Sequence, residues 1–203
     1  MSMTTAAVPR VRASLLAVAA LTVLAIAMIL VLSPGAEGSE ADPGPGPIEA
    51  TPLTSGGHNL FADDVAAQVR DRPEGRSTDV INLRDASRLA TAEIVIPPGA
   101  AFPWHTHPGP VLAAVADGAE EGAFVYVYAD DCVERPYEVG EAFIDPGDSV
   151  HTAYNPSDEE TVVIATFLGV GEGEPLTQPV QDAEEAHALN EACDQQAPVP
   201  GQD

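Results

Sequence analysis

Two kinds of apolar pattern divide this chain. From Ala13 to Leu32 the sequence ASLLAVAALTVLAIAMILVL is apolar on every face, and only Ser14 and Thr22 interrupt it. A soluble amphipathic helix would leave one face polar. These 20 residues would reach ~30 Å as a helix, the thickness of a bilayer core. Arg10 and Arg12 precede the run and no cation follows it closely, which orients the amino end to the cytoplasm and the rest outward. The length favours a transmembrane anchor, residues 1–32. Small residues downstream also permit a cleaved signal peptide, cut after Gly38 or Ala41. Either way the remainder is expected outside the cytoplasm, membrane-anchored or secreted.

Beyond this run the pattern breaks down and then changes period. Residues 33–57 are rich in proline, glycine and acids, the composition of a linker. In NLFADDVAAQVRD, Leu60, Phe61, Val65 and Val69 stand near helical spacing, which allows a short helix there as a lid or a flank. From Thr78 onward the runs are short, rich in β-formers and cut by turns: TDVINL, LATAEIVI, PVLAAVAD, GAFVYVYA, two runs around Asp145-Pro146-Gly147-Asp148, and TVVIATFLGV. In the fourth, Phe124, Tyr126 and Tyr128 share one face and Val125 and Val127 the other. Such a series without long helices predicts an all-β sandwich or barrel, here over residues 58–170. Residues 171–203 form an acidic tail. Ala183, Ala186, Leu189 and Cys193 allow an amphipathic turn or two, and a solvated disordered tail fits equally.

Charge narrows the partners. Lys+Arg total 8 against 32 Asp+Glu, a formal net charge of −24, and every cation is arginine. Nucleic acid is excluded as a partner, because phosphates need cationic faces. The N-terminal segment, if retained, provides the contact with a membrane.

The candidate chemistry begins at FPWHTHPGP. On a strand, residues i and i+2 face the same way, so His105 and His107 would aim two imidazoles at one point. Imidazole suits Zn, Fe, Mn, Ni or Cu, but two ligands alone do not hold an ion.

The flanks supply more. Gly99, five residues, His105-Thr106-His107 and then Gly118 form one spaced pattern. Gly140, five residues, Pro146-Gly147-Asp148, two residues, His151, three residues and Asn155 form another. Together these resemble the two motifs of the cupin superfamily, directly over Gly99–Asn155. The resemblance implies a double-stranded β-helix, a jelly-roll-like barrel, with a possible homodimer. It implies His105, His107 and His151 as ligands of a divalent transition metal, turns shaped by Gly99, Gly118, Gly140 and Pro146, and a structural Asn155.

Two departures stand out. Asp148 replaces a motif glycine, a mild change because Asp tolerates left-handed backbone. Val111 occupies the position of the usual glutamate, and no carboxylate lies nearby in that strand, where Leu112, Ala113, Ala114, Val115 and Ala116 follow. A three-histidine site brings no ligand charge. Some cupin relatives, such as thiol and diketone dioxygenases, work in this way. The resemblance therefore implies a metal-dependent dioxygenase, lyase or isomerase acting on a small molecule, a non-catalytic metal- or ligand-binding module, or a vestigial site.

Other residues are read locally. Cys132 and Cys193 are the only cysteines, and in an exported chain they are expected to pair. His58 and His187 read as solvated. Trp104 should face away from His105 and pack. Tyr126 and Tyr128 either line the interior or fill it.

Overall fold

The computed structural model describes residues 44–54, 59–61, 65–73, 75–83 and 88–202. The apolar run Ala13–Leu32 and His58 lie outside them. Among the described residues no helix is long and apolar enough to cross a membrane.

In chain order the strands are β1 (Glu49–Pro52), β2 (Asn59–Leu60), β3 (Ala67–Asp71), β4 (Asp79–Leu83), β5 (Arg88–Ile96), β6 (His105–Thr106) and β7 (Val111–Asp117). They continue as β8 (Phe124–Tyr128), β9 (Glu134–Tyr137), β10 (Ala142–Asp145), β11 (His151–Tyr154), β12 (Thr161–Leu168) and β13 (Gln178–Pro179), before the helix α1 (Ala183–Cys193). Two antiparallel sheets face each other. One runs β1-β5-β12-β7-β10, with β2 also on β5, and the other runs β13-β6-β11-β8-β9. Among the described residues no ladder joins the two, so the expected barrel is a sandwich. The jelly-roll logic survives, since chain neighbours such as β10 and β11 lie in opposite sheets.

Alternation decides which side chains meet. Along β12, Thr161, Val163, Ala165 and Phe167 are buried and the residues between them are half-buried. On β7 the buried set is Val111, Ala113 and Val115. Opposite them β8 presents Phe124, Tyr126 and Tyr128, and these meet Ile96, Ala153 and Val163 in the main core. Each such large apolar side chain contributes about 1.5–3 kcal/mol on burial.

β8 departs from simple alternation, because all five of its residues are buried. Its outer face, Val125 and Val127, packs with Trp104, Cys193 and Ala197. What covers that face is the C-terminal arm, which is ordered rather than a solvated tail. Asp182 caps α1 by accepting from the backbone N–H groups of Glu184 and Glu185 (2.8 and 3.2 Å), and these two acids favour the positive end of the helix dipole. Cys193 at the other end is bonded to Cys132, in the turn after β8.

Two further expectations are corrected. The Leu60–Val69 stretch holds no described helix. Its ends form β2 and β3, and β3 pairs with β4 as a separate hairpin. Helical spacing over so few residues did not outweigh the pairing offered by Asp79–Leu83. Within the linker, Glu49–Pro52 is a strand on the free edge of β5. All four of its residues are exposed, so no apolar pattern marked it.

Candidate metal centre

His105 and His151 are direct partners across the antiparallel pair β6–β11. His107 lies just past β6, and its backbone N–H donates to Gly147 O at 2.7 Å. Gly147 has φ +98°, and a Cβ there would lie 2.5 Å from Gly109 O. The turn therefore requires glycine at position 147. The neighbouring Asp148 is not among the residues with positive φ. The expectation that Asp148 replaces a strained glycine is thus corrected: the conformational demand falls one residue earlier.

The three rings gather with centroids 4.1, 4.8 and 5.1 Å apart. Their ligand nitrogens all lie within 4.8 Å of one another. The side chains are nearly sealed: His107 is 8% exposed and His151 2%.

Each imidazole is oriented by a backbone carbonyl. His105 Nδ1 lies 2.7 Å from Pro103 O, His107 Nδ1 2.7 Å from Leu176 O, and His151 Nδ1 2.9 Å from Ser149 O. A carbonyl can only accept, so each Nδ1 carries the hydrogen. In its neutral form each ring then offers its Nε2 lone pair. Burial pushes the His105 imidazole well below its ordinary range, and His151 and His107 push it the same way. Burial also lowers His107, against the pull of Asp145. Neutral, oriented imidazoles are the form that ligates metal.

A carboxylate absent from the sequence reading is also here. Asp145, 2% exposed, ends β10. Its Oδ2 lies 3.0 Å from His151 Nε2 and 3.6 Å from His107 Nε2. The Tyr126 hydroxyl donates to Oδ2 at 3.0 Å, and the Gly147 N–H donates to Oδ1 at 2.6 Å. Burial alone would raise the Asp145 pKa. The hydrogen bond and charge of His151, with the charge of His107, outweigh it and hold the carboxyl below its ordinary value. Burial and then the Asp145 charge drive the Tyr126 phenol well above its own. The Asp145 carboxylate and the Nε2 lone pairs of His151 and His107 repel unless a cation, a proton or a metal ion, sits between them.

The three histidines remain the cluster with metal-ligand spacing, and the carboxylate beside them is one that the sequence did not announce. Looking along β7 could not find Asp145, because it arrives on the neighbouring strand. Its signal was the Asp145-Pro146 step at the end of a short apolar run, which reads equally well as turn chemistry.

The remaining expected residues fall as follows. Asn155 is fully buried, donating to Ile96 O (3.0 Å) and Glu159 O (2.7 Å) and accepting from Ser157, a structural clasp. Gly99, Gly118 and Gly140 have positive φ, and Pro146 opens the turn beside the histidines. Trp104 faces away from the site, fully buried, and its Nε1–H donates to Asn190 at 2.8 Å. Tyr126 lines the interior cavity. Tyr128 instead lies beneath the Arg76 guanidinium, 4.2 Å away. His187 is exposed and apart from the cluster.

The cavity at the centre measures about 70 Å³. Beyond His105, His107, His151, Asp145, Tyr126 and Thr177 its walls are apolar, including Phe102, Phe143 and Phe167.

Residues 92–167 match the family model for the cupin domain. No curated protein sequence matches the chain. Among solved structures, a cupin-like protein from Thermotoga maritima is 26% identical, covering 50% of this chain and 72% of that one, with a TM-score of 0.39. An RmlC-like cupin from Shewanella frigidimarina is 25% identical, covering 42% and 69%, with a TM-score of 0.35. A polyketide cyclase from Streptomyces resistomycificus is 17% identical, covering 49% and 65%, with a TM-score of 0.40.

Proposed function

The chain is a member of the cupin superfamily through its domain at residues 92–167, and from that premise we propose that it is a metal-dependent protein acting on a small molecule. His105, His107 and His151 would hold a divalent transition metal. The observation that carries this reading is the set of three Nδ1–H groups, each donated to a backbone carbonyl. Rings that merely filled space would not need all three Nε2 lone pairs freed toward one buried point.

When bound, the ion supplies Lewis-acid or redox chemistry. The chain's own residues do the rest. The phenyl rings of Phe102, Phe143 and Phe167 exclude water and present an apolar wall. Space of about 70 Å³ suits an ion with a few water-sized ligands. A compact substrate with oxygen or sulfur donors at one end and an apolar body fits best. Tyr126, held neutral by burial and Asp145, keeps its hydroxyl proton on Asp145 Oδ2 and orients that carboxylate at the cavity wall. A dioxygenase, lyase or isomerase reaction is the class proposed.

Export is part of the same proposal. The Cys132–Cys193 bond supports an oxidising compartment, the side of the membrane to which Ala13–Leu32 would deliver the domain.

Metal analysis of the full chain, purified without a nickel column, tests the reading. We expect a stoichiometric transition metal that is lost in His105→Ala. An ion-free protein that also fails to take up Zn(II), Mn(II) or Fe(II) on titration would overturn it.

A further inference from the structure

Asp145 stands directly across the β7–β10 ladder from Val111. Residues opposite each other in an antiparallel pair project to the same face. The carboxylate absent at position 111 therefore reappears on the same rung, one strand over. We propose that Asp145 is a fourth ligand of the metal, making a three-histidine, one-aspartate site whose charge comes from β10. The proposal rests on the metal-centre reading above.

Distances carry it. Donors about 2.1 Å from one ion lie about 3.0 Å apart at a right angle and about 3.4 Å apart at the tetrahedral angle. Asp145 Oδ2 is 3.0 Å from His151 Nε2 and 3.6 Å from His107 Nε2. With their Nδ1 hydrogens on backbone carbonyls, both imidazoles have an Nε2 lone pair available to an ion held between them and Oδ2. The rest of the carboxylate is already oriented: Gly147 N–H holds Oδ1, and the Tyr126 hydroxyl takes one lone pair of Oδ2. Tyr126 is itself fixed by stacking on His151, with centroids 4.7 Å apart. The remaining Oδ2 lone pair is left for the ion.

The ligand set then carries one negative charge rather than none. Carboxylate oxygen favours hard ions, whereas imidazole alone favours Zn or Cu. Asp145 thereby widens the metals the site retains to include Mn(II) and Fe(II).

The test is chelator-competition titration of the full chain with Mn(II) and with Zn(II), together with the visible spectrum of the Co(II) form. In Asp145→Asn, Mn(II) affinity should fall about 100-fold and Zn(II) affinity about tenfold or less. The Co(II) bands should shift as one donor is lost. A swapped double variant, Val111→Glu with Asp145→Val, guards against a folding defect. It returns a carboxylate from the same rung and should recover Mn(II) binding relative to Asp145→Val alone. Equal losses for both metals with an unchanged Co(II) spectrum would make Asp145 a positioning residue and overturn the proposal while the histidine tripod stood. Failure of the unaltered chain to bind any of the ions would instead sink the metal-centre reading itself.

Discussion

Asp145 and Val111 face each other across one rung of the β7–β10 ladder, and both side chains line the same cavity. The rung has room for one carboxylate with its hydrogen-bond partners. Introducing a second by Val111→Glu should therefore destabilise the metal-free protein by about 3 kcal/mol, the cost of an uncompensated buried charge. A divalent ion should restore more stability to the variant than to the unaltered chain. Urea unfolding with chelator and then with Mn(II) checks this. Equal unfolding midpoints in chelator would mean that the new side chain turns out of the cavity.

The strands and the histidine tripod were legible because they rest on local periodicity and fixed spacing. TVVIATFLGV alternates, and β12 buries alternate residues as read. His105 and His107 needed only the two-residue repeat to converge. Asp145 was not legible because the relation that places it is a pairing between strands about thirty residues apart in the chain. Likewise, nothing in the acidic composition of residues 171–203 announced that Leu176 O would orient His107, or that β13 would pair with β6. Backbone groups have no sequence signature.

That arm yields a second prediction. Cys132 and Cys193 are 61 residues apart, a loop whose closure is worth about 4 kcal/mol in the chain-entropy model. The paired Cys132→Ser and Cys193→Ser variant should lose roughly that much in denaturant unfolding. Metal affinity should fall as well, because the arm carries the carbonyl that holds His107. Stability lost with metal affinity intact would show that residues 176–180 stay docked without the bond.

Trp104 gives a direct view of the same event. It is the only tryptophan in the chain and fully buried. Asn190 ties it to the arm, accepting from Nε1 at 2.8 Å while donating to Ala197 O at 2.8 Å. Trp104→Phe should cost about 1 kcal/mol, the loss of one hydrogen bond, since the half-buried Asn190 Oδ1 keeps the Ala197 N–H as a donor at 3.1 Å. In the unaltered chain, reduction of the disulfide should shift tryptophan emission to the red as water reaches the indole. An unchanged emission maximum after complete reduction would contradict this.

Acid sensitivity should localise to the turn after β8. Asp131 accepts from Arg135 Nη2 and Arg76 Nη1, each at 2.8 Å, and from the Val133 N–H at 3.0 Å. Burial works to raise its pKa, but these bonds outweigh burial and hold the carboxyl far below its ordinary value. A depressed carboxyl stabilises the fold above its unfolded pKa of about 3.9. That contribution fades as pH falls through this value toward the folded pKa. Asp131→Asn should be less stable than the parent at pH 7, with a smaller further loss between pH 5 and 3. Parallel stability curves for the two proteins would show that the Arg76–Asp131–Arg135 group does not govern the acid limb.

Gly147 links the turn to the metal centre, and its neighbour supplies the control. A Cβ at position 147 would meet Gly109 O at 2.5 Å and Gly109 C at 2.6 Å, in a backbone at φ +98°. Both groups belong to rigid backbone beside the site, so neither can give way as a side chain would. The Gly147 carbonyl holds the His107 N–H and its N–H holds Asp145 Oδ1. Any shift of the turn therefore moves two of the groups around the ion together. Gly147→Ala should cost about 2–3 kcal/mol in stability and lower metal affinity in the same protein. Asp148→Gly, at an exposed residue without positive φ, should change metal affinity little. Thermal melts and metal titrations of the two variants separate the outcomes. Asp148→Gly disturbing the site more than Gly147→Ala would place the conformational demand at the motif's usual glycine position after all.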